Sequence, residues 1–229
     1  MGVSKEELMI LTVGGDAASK GSNEMMKALA LITQDVPSWK YVCKVWPQPR
    51  TTAQNQNDHD LAQILGIDKN IIYATNTISR DFMPYLIGAC DIYAAPSRLE
   101  GFGMPQVEAG ACGKPVIGIN AMGMLDTLVH GETALLAGVA EEIIVNEVIL
   151  GPESGYGANY LVKFNTPRTV DYRASVDDIA AHLLMLMNNN TLRTDMGLAA
   201  RKRAVDTFDY RLVARQFLNI IQMKLGIKA

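Results

Sequence analysis

The stretch from Asp91 to Cys112 constrains the fold more than any other part of the chain. Asp91-Ile92-Tyr93-Ala94-Ala95 reads as a short apolar strand, and Pro105 at a first helical position, with Ala109, Ala111 and Cys112 behind it, reads as a helix. Gly101 and Gly103 lie between them and argue against one continuous helix, because glycine weakens helices and permits turns. Two carboxylates bracket this turn, Glu100 in the loop and Glu108 in the first turns of the helix. Open α/β sheets bind ligands at such strand-to-helix junctions, where a helix start offers free N–H groups to an anion. An elongated ligand with a central anion and hydroxyl-rich ends fits: the backbone of Phe102, Gly103 and Met104 meets the anion, and each acid meets hydroxyls. A glutamate near a helix start is also favoured by the helix dipole with no ligand at all, so the spacing alone leaves a structural role open.

The remaining pattern alternates strand and helix. Leu8–Val13, Trp39–Val45, Asn70–Ala74, Asp91–Ala95 and Pro115–Ile119 read as buried parallel strands. Ser22 is expected to cap a helix through Ile32, Ser79 one holding Phe82, Leu86 and Ala89, and Asp58–Leu65 a short helix stopped by Gly66. Residues 47–58, polar and with two prolines, read as a loop. Gly123, in the loop after the fifth strand, permits close backbone approach, and Asp126 reads as a helix-start acid. Such alternation implies βαβ units and an α/β, Rossmann-like parallel sheet flanked by helices. Residues 138–174 break the pattern: Ile143–Leu150 and Tyr160–Phe164 are strand-like around a glycine-rich connection at 151–157, read as a hairpin or elaborated loop. Residues 175–225 return to helices, with Ser175 opening a capping box, Thr191 starting a second helix and Asp209 capping the last. The division expected is one domain over 1–229, with an insertion near 138–174 and C-terminal helices over 175–225.

Composition is that of a globular chain: 48% hydrophobic, 20% charged and a net charge of −3, which argues against nucleic acid as a partner. Cys43, Cys90 and Cys112 are odd in number, form no Cys-x-x-Cys pair and lie in apolar segments, so they read as free thiols in a reducing compartment. No 18-residue apolar run marks a membrane span, and the start lacks a signal-peptide core. His59, His130 and His182 follow no metal spacing. Arg80, Arg98 and the cluster Arg201-Lys202-Arg203 read as solvated surface.

Residues 95–109, with their two glutamates seven residues apart, resemble the signature of glycosyltransferase family 4 (group 1). Gly110–Ile117, Gly131–Leu136, Val13-Gly14-Gly15 and Lys20-Gly21 resemble the flanking helix, strand and first glycine loop of that family. The resemblance spans roughly residues 8 to 137 and resumes over about 175 to 221. It implies the C-terminal half of a GT-B fold, the half that holds a nucleotide-sugar donor as substrate. It also implies a nucleotide-sugar site of Gly14, Gly15, Lys20, Gly101, Phe102, Gly103, Met104 and Glu108. Glu100 would read the donor sugar in the catalytic position, and Glu108 would read the ribose. The 76–80 loop would lie near the nucleobase, and the terminal helix would lean on the N-terminal domain. Transfer would retain anomeric configuration with no cofactor and no metal.

One departure stands out: the family's arginine after the first glycine is replaced by Gly15-Asp16, leaving Lys20 as the nearby cation. Since residue 8 already enters the donor half, the acceptor-binding N-terminal domain is expected on a separate or removed segment, and the isolated chain is expected to transfer nothing. The resemblance further implies a cytoplasmic enzyme of cell-surface polysaccharide or lipopolysaccharide synthesis, with peripheral membrane contact open. A non-catalytic nucleotide-sugar-binding or interaction module is the alternative. A dehydrogenase-type dinucleotide site ranks last, because Gly-Gly-Asp lacks the Gly-x-Gly-x-x-Gly spacing.

Overall fold

The computed structural model describes residues 2–46, 52–151 and 159–226. Six strands, β1 (Leu8–Val13), β2 (Trp39–Lys44), β3 (Ile71–Ala74), β4 (Ile92–Ala94), β5 (Val116–Ile119) and β6 (Ala134–Ala137), form one sheet in the order β3-β2-β1-β4-β5-β6. Every pair is parallel, with Ile10 beside Ile92 and Leu11 beside Tyr93 at the centre. Parallel strands covered on both faces read as continuous apolar runs, and β1, β4 and β5 do: Ile10, Leu11, Ile92, Tyr93 and Ile117 are all buried. The fold is thus the expected α/β, Rossmann-like sheet. Strand order reverses between β1 and β4, so the loops leaving their C-terminal ends frame the crevice where such sheets take ligands.

The helices are α1 (Ser22–Ile32), α2 (Thr52–Ile64), α3 (Met83–Ala89), α4 (Met104–Ala111), α5 (Met124–Thr127), α6 (Val176–Asn188), α7 (Asn190–Phe208) and α8 (Tyr210–Leu225). Met25, Met26 and Leu29 of α1 and Leu183 and Leu186 of α6 line the core. Small residues let α7 lie directly on α4: a Cβ on Gly110 would stand 3.4 Å from the Ala200 Cβ, and one on Gly197 would stand 2.1 Å from the Gly113 carbonyl oxygen. The last helix, α8, has no buried residue and leaves Val213, Phe217, Ile220 and Ile221 exposed.

Several expected boundaries move. Ser22 does not cap α1: Gly21, at φ 84°, occupies the cap, and the Ser22 hydroxyl instead donates to buried Asp58 at 2.9 Å. A Cβ at Gly21 would stand 2.5 Å from the Pro96 carbonyl oxygen, so only glycine fits there. The loop expected over 47–58 becomes α2 from Thr52; tertiary anchoring of Asp58 and Ala62 outweighs a weakly apolar sequence, while residues 47–51 lie outside the described residues. Ser79 makes no side-chain cap, and a 3-10 turn over Arg80–Phe82 precedes α3. Asn189, not Thr191, caps α7 by accepting from the Leu192 N–H at 2.9 Å. Ser175 does cap α6, accepting from the Asp178 N–H at 3.1 Å.

The 138–174 region is a long antiparallel ribbon, β7 (Val139–Leu150) against β8 (Tyr160–Ala174), with three register shifts. It forms its own two-stranded sheet, and both strands run further than the sequence pattern indicated. Of the glycine-rich connection expected at 151–157, residues 152–157 lie outside the described residues. Asp178 ties the root of the ribbon to α6 by accepting the Gly138 N–H at 2.8 Å.

Candidate functional site

The first wall of the crevice is the loop after β1. The Gly14 N–H donates to the Lys44 carbonyl at 3.0 Å, and Gly15 lies against the Trp46 ring, where a Cβ would stand 2.8 Å from ring carbon. Asp16, in the place of the expected arginine, closes the next turn: its carboxylate accepts the Ser19 N–H at 2.6 Å and the Ser19 hydroxyl at 3.0 Å. That turn delivers Lys20. A Cβ on Gly14 would stand 2.5 Å from the Lys20 Cγ, so the glycine makes room for the lysine stem.

The second wall is the loop after β4. Lys20 Nζ donates to Glu100 Oε2 at 2.7 Å, with side chains only 20% and 15% exposed. The Gly103 N–H donates to Glu100 Oε1 at 3.3 Å. Burial pushes the Glu100 carboxyl up, but Lys20 and the Gly103 and Phe102 N–H groups outweigh it and hold the group below its ordinary value. The Gly103 amide, expected to face a bound anion, is thus engaged by Glu100. Gly103 caps α4 at φ 82°, where non-glycine residues are strained. Phe102 packs edge-on against Phe208, centroids 5.7 Å apart, and Met104 is exposed.

A third loop, after β5, closes on the second. Gly123 approaches Gly101 so closely that a Cβ would stand 2.0 Å from the Gly101 carbonyl oxygen. Its expected close approach is therefore to the protein's own loop, with its N–H 3.4 Å from the Glu100 carbonyl. Met122 carries φ 56°, the one positive φ outside glycine among the described residues, and its sulfur accepts the Glu100 N–H at 3.3 Å. Backbone strain of this kind concentrates at functional sites. Asp126 sits in the first turn of α5.

Glu108 faces different neighbours from Glu100. It lines a cleft of about 420 Å³ between α3 and α4 with Arg80, Pro84, Ile87, Cys112 and Arg201. The residue as a whole is exposed, yet partial burial pushes its carboxyl up, with Arg80 opposing. Burial pushes the Tyr93 phenol far up against its bond to Val13, and Cys90, Glu108 and Glu100 add smaller upward pushes. The two acids therefore stand on one sheet edge but serve separate walls.

Three arginines read as solvated are engaged instead. Arg98 pairs with Glu24 at 3.2 Å. Arg201 donates to the Ala111 carbonyl, and Arg203 to the Thr127 and Asp126 carbonyls at 2.9 Å each, so these two cap the C-terminal ends of α4 and α5. Arg80 is exposed beside Glu108. All three cysteines are free. Among the described residues no three His, Cys, Asp or Glu side chains group as metal ligands, and no helix is long and apolar enough to cross a membrane.

Residues 2–150 match the family described as Glycosyl transferases group 1. A D-inositol 3-phosphate glycosyltransferase from Kineococcus radiotolerans is 27% identical over 209 residues, covering 89% of this chain and 42% of that protein. The chain thus spans less than half of that relative. Among solved structures, Anabaena Alr3699/HepE in complex with UDP and glucose superposes with a TM-score of 0.72 at 18% identity, over 95% of this chain and 49% of the other. The C-terminal domain of the glycosyl transferase group 1 family protein LpcC from Francisella tularensis gives 0.66 at 21% identity, over 89% and 87%. The two structural matches speak for the fold; the family match covers well over half of the residues, and by it the chain belongs to the group 1 glycosyl transferases.

Proposed function

We propose that this chain is the donor-binding, C-terminal half of a retaining glycosyltransferase, with the acceptor held by a separate N-terminal domain. The observation that carries the reading is the Lys20–Glu100 pair at 2.7 Å, set across the switch point of the sheet. A nucleotide-sugar laid along this crevice would put its diphosphate by Lys20 and the start of α4, its sugar hydroxyls by Glu100 and its ribose by Glu108. Breaking the sugar–phosphate bond leaves negative charge on the diphosphate, which Lys20 and the helix N-terminus would stabilise. Glu100 would orient the sugar through its hydroxyls. The Anabaena neighbour binds UDP and glucose, which makes a UDP-sugar the first donor to test. The exposed apolar side of α8 supports docking on the acceptor half. Cell-surface polysaccharide or lipopolysaccharide is the proposed product class, with no metal or cofactor in the step.

A non-catalytic binding module is the second reading, favoured by Asp16: the loop offers one cation, and that cation is already paired with Glu100. The deciding experiment joins the chain to an N-terminal acceptor domain and measures transfer and donor hydrolysis. Glu100→Ala is expected to cut turnover by about a hundredfold or more while the nucleotide diphosphate still binds. Turnover unchanged by Glu100→Ala would remove that residue from the mechanism, and an inert fusion that still binds UDP-sugar would favour the module.

A further inference from the structure

Glu24 stands in the first turn of α1, where an acid is favoured by the helix dipole alone. That account does not cover what this carboxylate does. Its side chain is only 8% exposed, and both oxygens accept from Arg98 Nη2, at 3.2 and 3.5 Å. Arg173, at the root of the β7–β8 ribbon, lies 3.9 Å from the same carboxylate and pairs with Asp171 at 2.9 Å. A carboxylate this buried is tolerated because it is paired, and removing one partner strands the other.

Arg98 precedes Glu100 by two residues. Its N–H donates to the Ser19 carbonyl at 3.0 Å, and its own carbonyl accepts the Tyr172 N–H at 2.9 Å. Ser19 adjoins Lys20, the partner of Glu100. The segments 19–20 and 98–100 are therefore laced twice, once by backbone and once by the Lys20–Glu100 pair. Beyond Arg98 the loop is braced on its other side by the loop after β5, through Met122 and Gly123 against the Glu100 backbone, while Leu99 is exposed, so Arg98 is its tie on the Lys20 side. We infer that Glu24 is a positioning residue for Glu100: by anchoring Arg98 and Arg173 it fixes the loop at the height where Glu100 reaches Lys20, and it joins the ribbon root to that loop. Neither Glu24 nor Arg98 belongs to the glycine loops or the acid pair. The functional side of this inference rests on the reading of Glu100 as a donor-sugar residue; its mechanical side does not.

The test uses the full chain and the variants Glu24→Gln, Arg98→Lys and their double. Gln keeps the shape of Glu24 without its charge, and Lys keeps the charge of Arg98 without its fork. Amide hydrogen exchange across 100–104 is expected to speed by about tenfold in each single variant and no further in the double. Unchanged exchange in either single variant, or effects that add in the double, would overturn the inference. A titration with UDP and with UDP-glucose, read by the fluorescence of Trp46 on Gly15, supplies the functional arm. Glu24→Gln is expected to leave UDP affinity within about twofold while erasing preference for the sugar nucleotide; parallel loss of both would overturn the positioning role. A wild-type chain that binds neither ligand sinks the donor-site reading instead, and the exchange result then decides Glu24 by itself.

Discussion

Lys20 and Glu100 meet at 2.7 Å across the switch point, so the cation and the acid of this crevice neutralise each other. An anion arriving at Lys20 competes with Glu100, and a hydroxyl arriving at Glu100 competes with Lys20. The pair is therefore a store of polarity that a ligand carrying both groups can divide between its two ends.

Replacing Lys20 by Met tests that division. Glu100 is held below its ordinary value in the folded chain, so its contribution to stability is present above the unfolded value and lost as pH falls through the folded one. Without Lys20, the Gly103 and Phe102 N–H groups alone oppose burial, and the carboxyl moves up. Lys20→Met is expected to cost about 1 kcal/mol at pH 7, a cost that shrinks on acidification. Thermal unfolding of both proteins from pH 7 to pH 3 measures this. UDP affinity, by calorimetry, is expected to fall in the same variant.

Glu108 has the opposite sign. Its folded value is raised, so the stability it contributes is complete below the unfolded value and is lost as pH rises through the folded one. Glu108→Gln is accordingly expected to raise the unfolding midpoint slightly at pH 7 and to leave it unchanged at pH well below 4.5, the reference value of the group. The same variant is expected to weaken UDP more than pyrophosphate, because only UDP has a ribose. Equal weakening of both would take Glu108 off the ribose.

Gly123 and Gly101 supply a matched comparison. A Cβ on Gly123 would stand 2.0 Å from backbone oxygen, whereas one on Gly101 meets nothing within 4 Å and no positive φ stands in its way. Gly123→Ala is expected to lose about 2–3 kcal/mol in urea unfolding, since backbone must move, and Gly101→Ala to change stability by less than about 0.5 kcal/mol. Equal midpoints for the two would mean that the loops after β4 and β5 do not close on each other.

Ser175 caps α6 and fixes the ribbon root as well, its N–H donating to the Gly138 carbonyl at 2.8 Å. Ser175→Ala removes only the side-chain cap. A loss of about 1 kcal/mol is expected by denaturant unfolding, with the ribbon pairing intact by amide exchange.

Much of this was legible in the sequence because it is local. The strands β1, β2, β4 and β5 announce themselves as apolar runs, and the turn between Glu100 and Glu108 announces itself by its glycines. What stayed hidden depends on distant partners. The part of α2 from Asp58 onward was legible, but residues 52–57 look too polar for a helix until Ser22 is seen to hold Asp58. Four residues, Ala134–Ala137, gave too short a run to mark β6 as a strand of its own. Arg98 reads as surface until Glu24, seventy-four positions earlier, is found beneath it. Asp16 looked like the loss of a cation; its bonds to Ser19 show that it shapes the turn presenting Lys20, a local motif that an Asp three residues before a Ser could have signalled.

The glycine-and-alanine seam between α4 and α7 carries a mechanical consequence. With the backbone at Gly113 and Gly197 separated by less than a methyl group, no cushion of flexible side chains is left for one helix to glide along the other. The helix that carries Glu108 is thereby pinned to α7, whose Arg201 lines the α3–α4 cleft beside that acid.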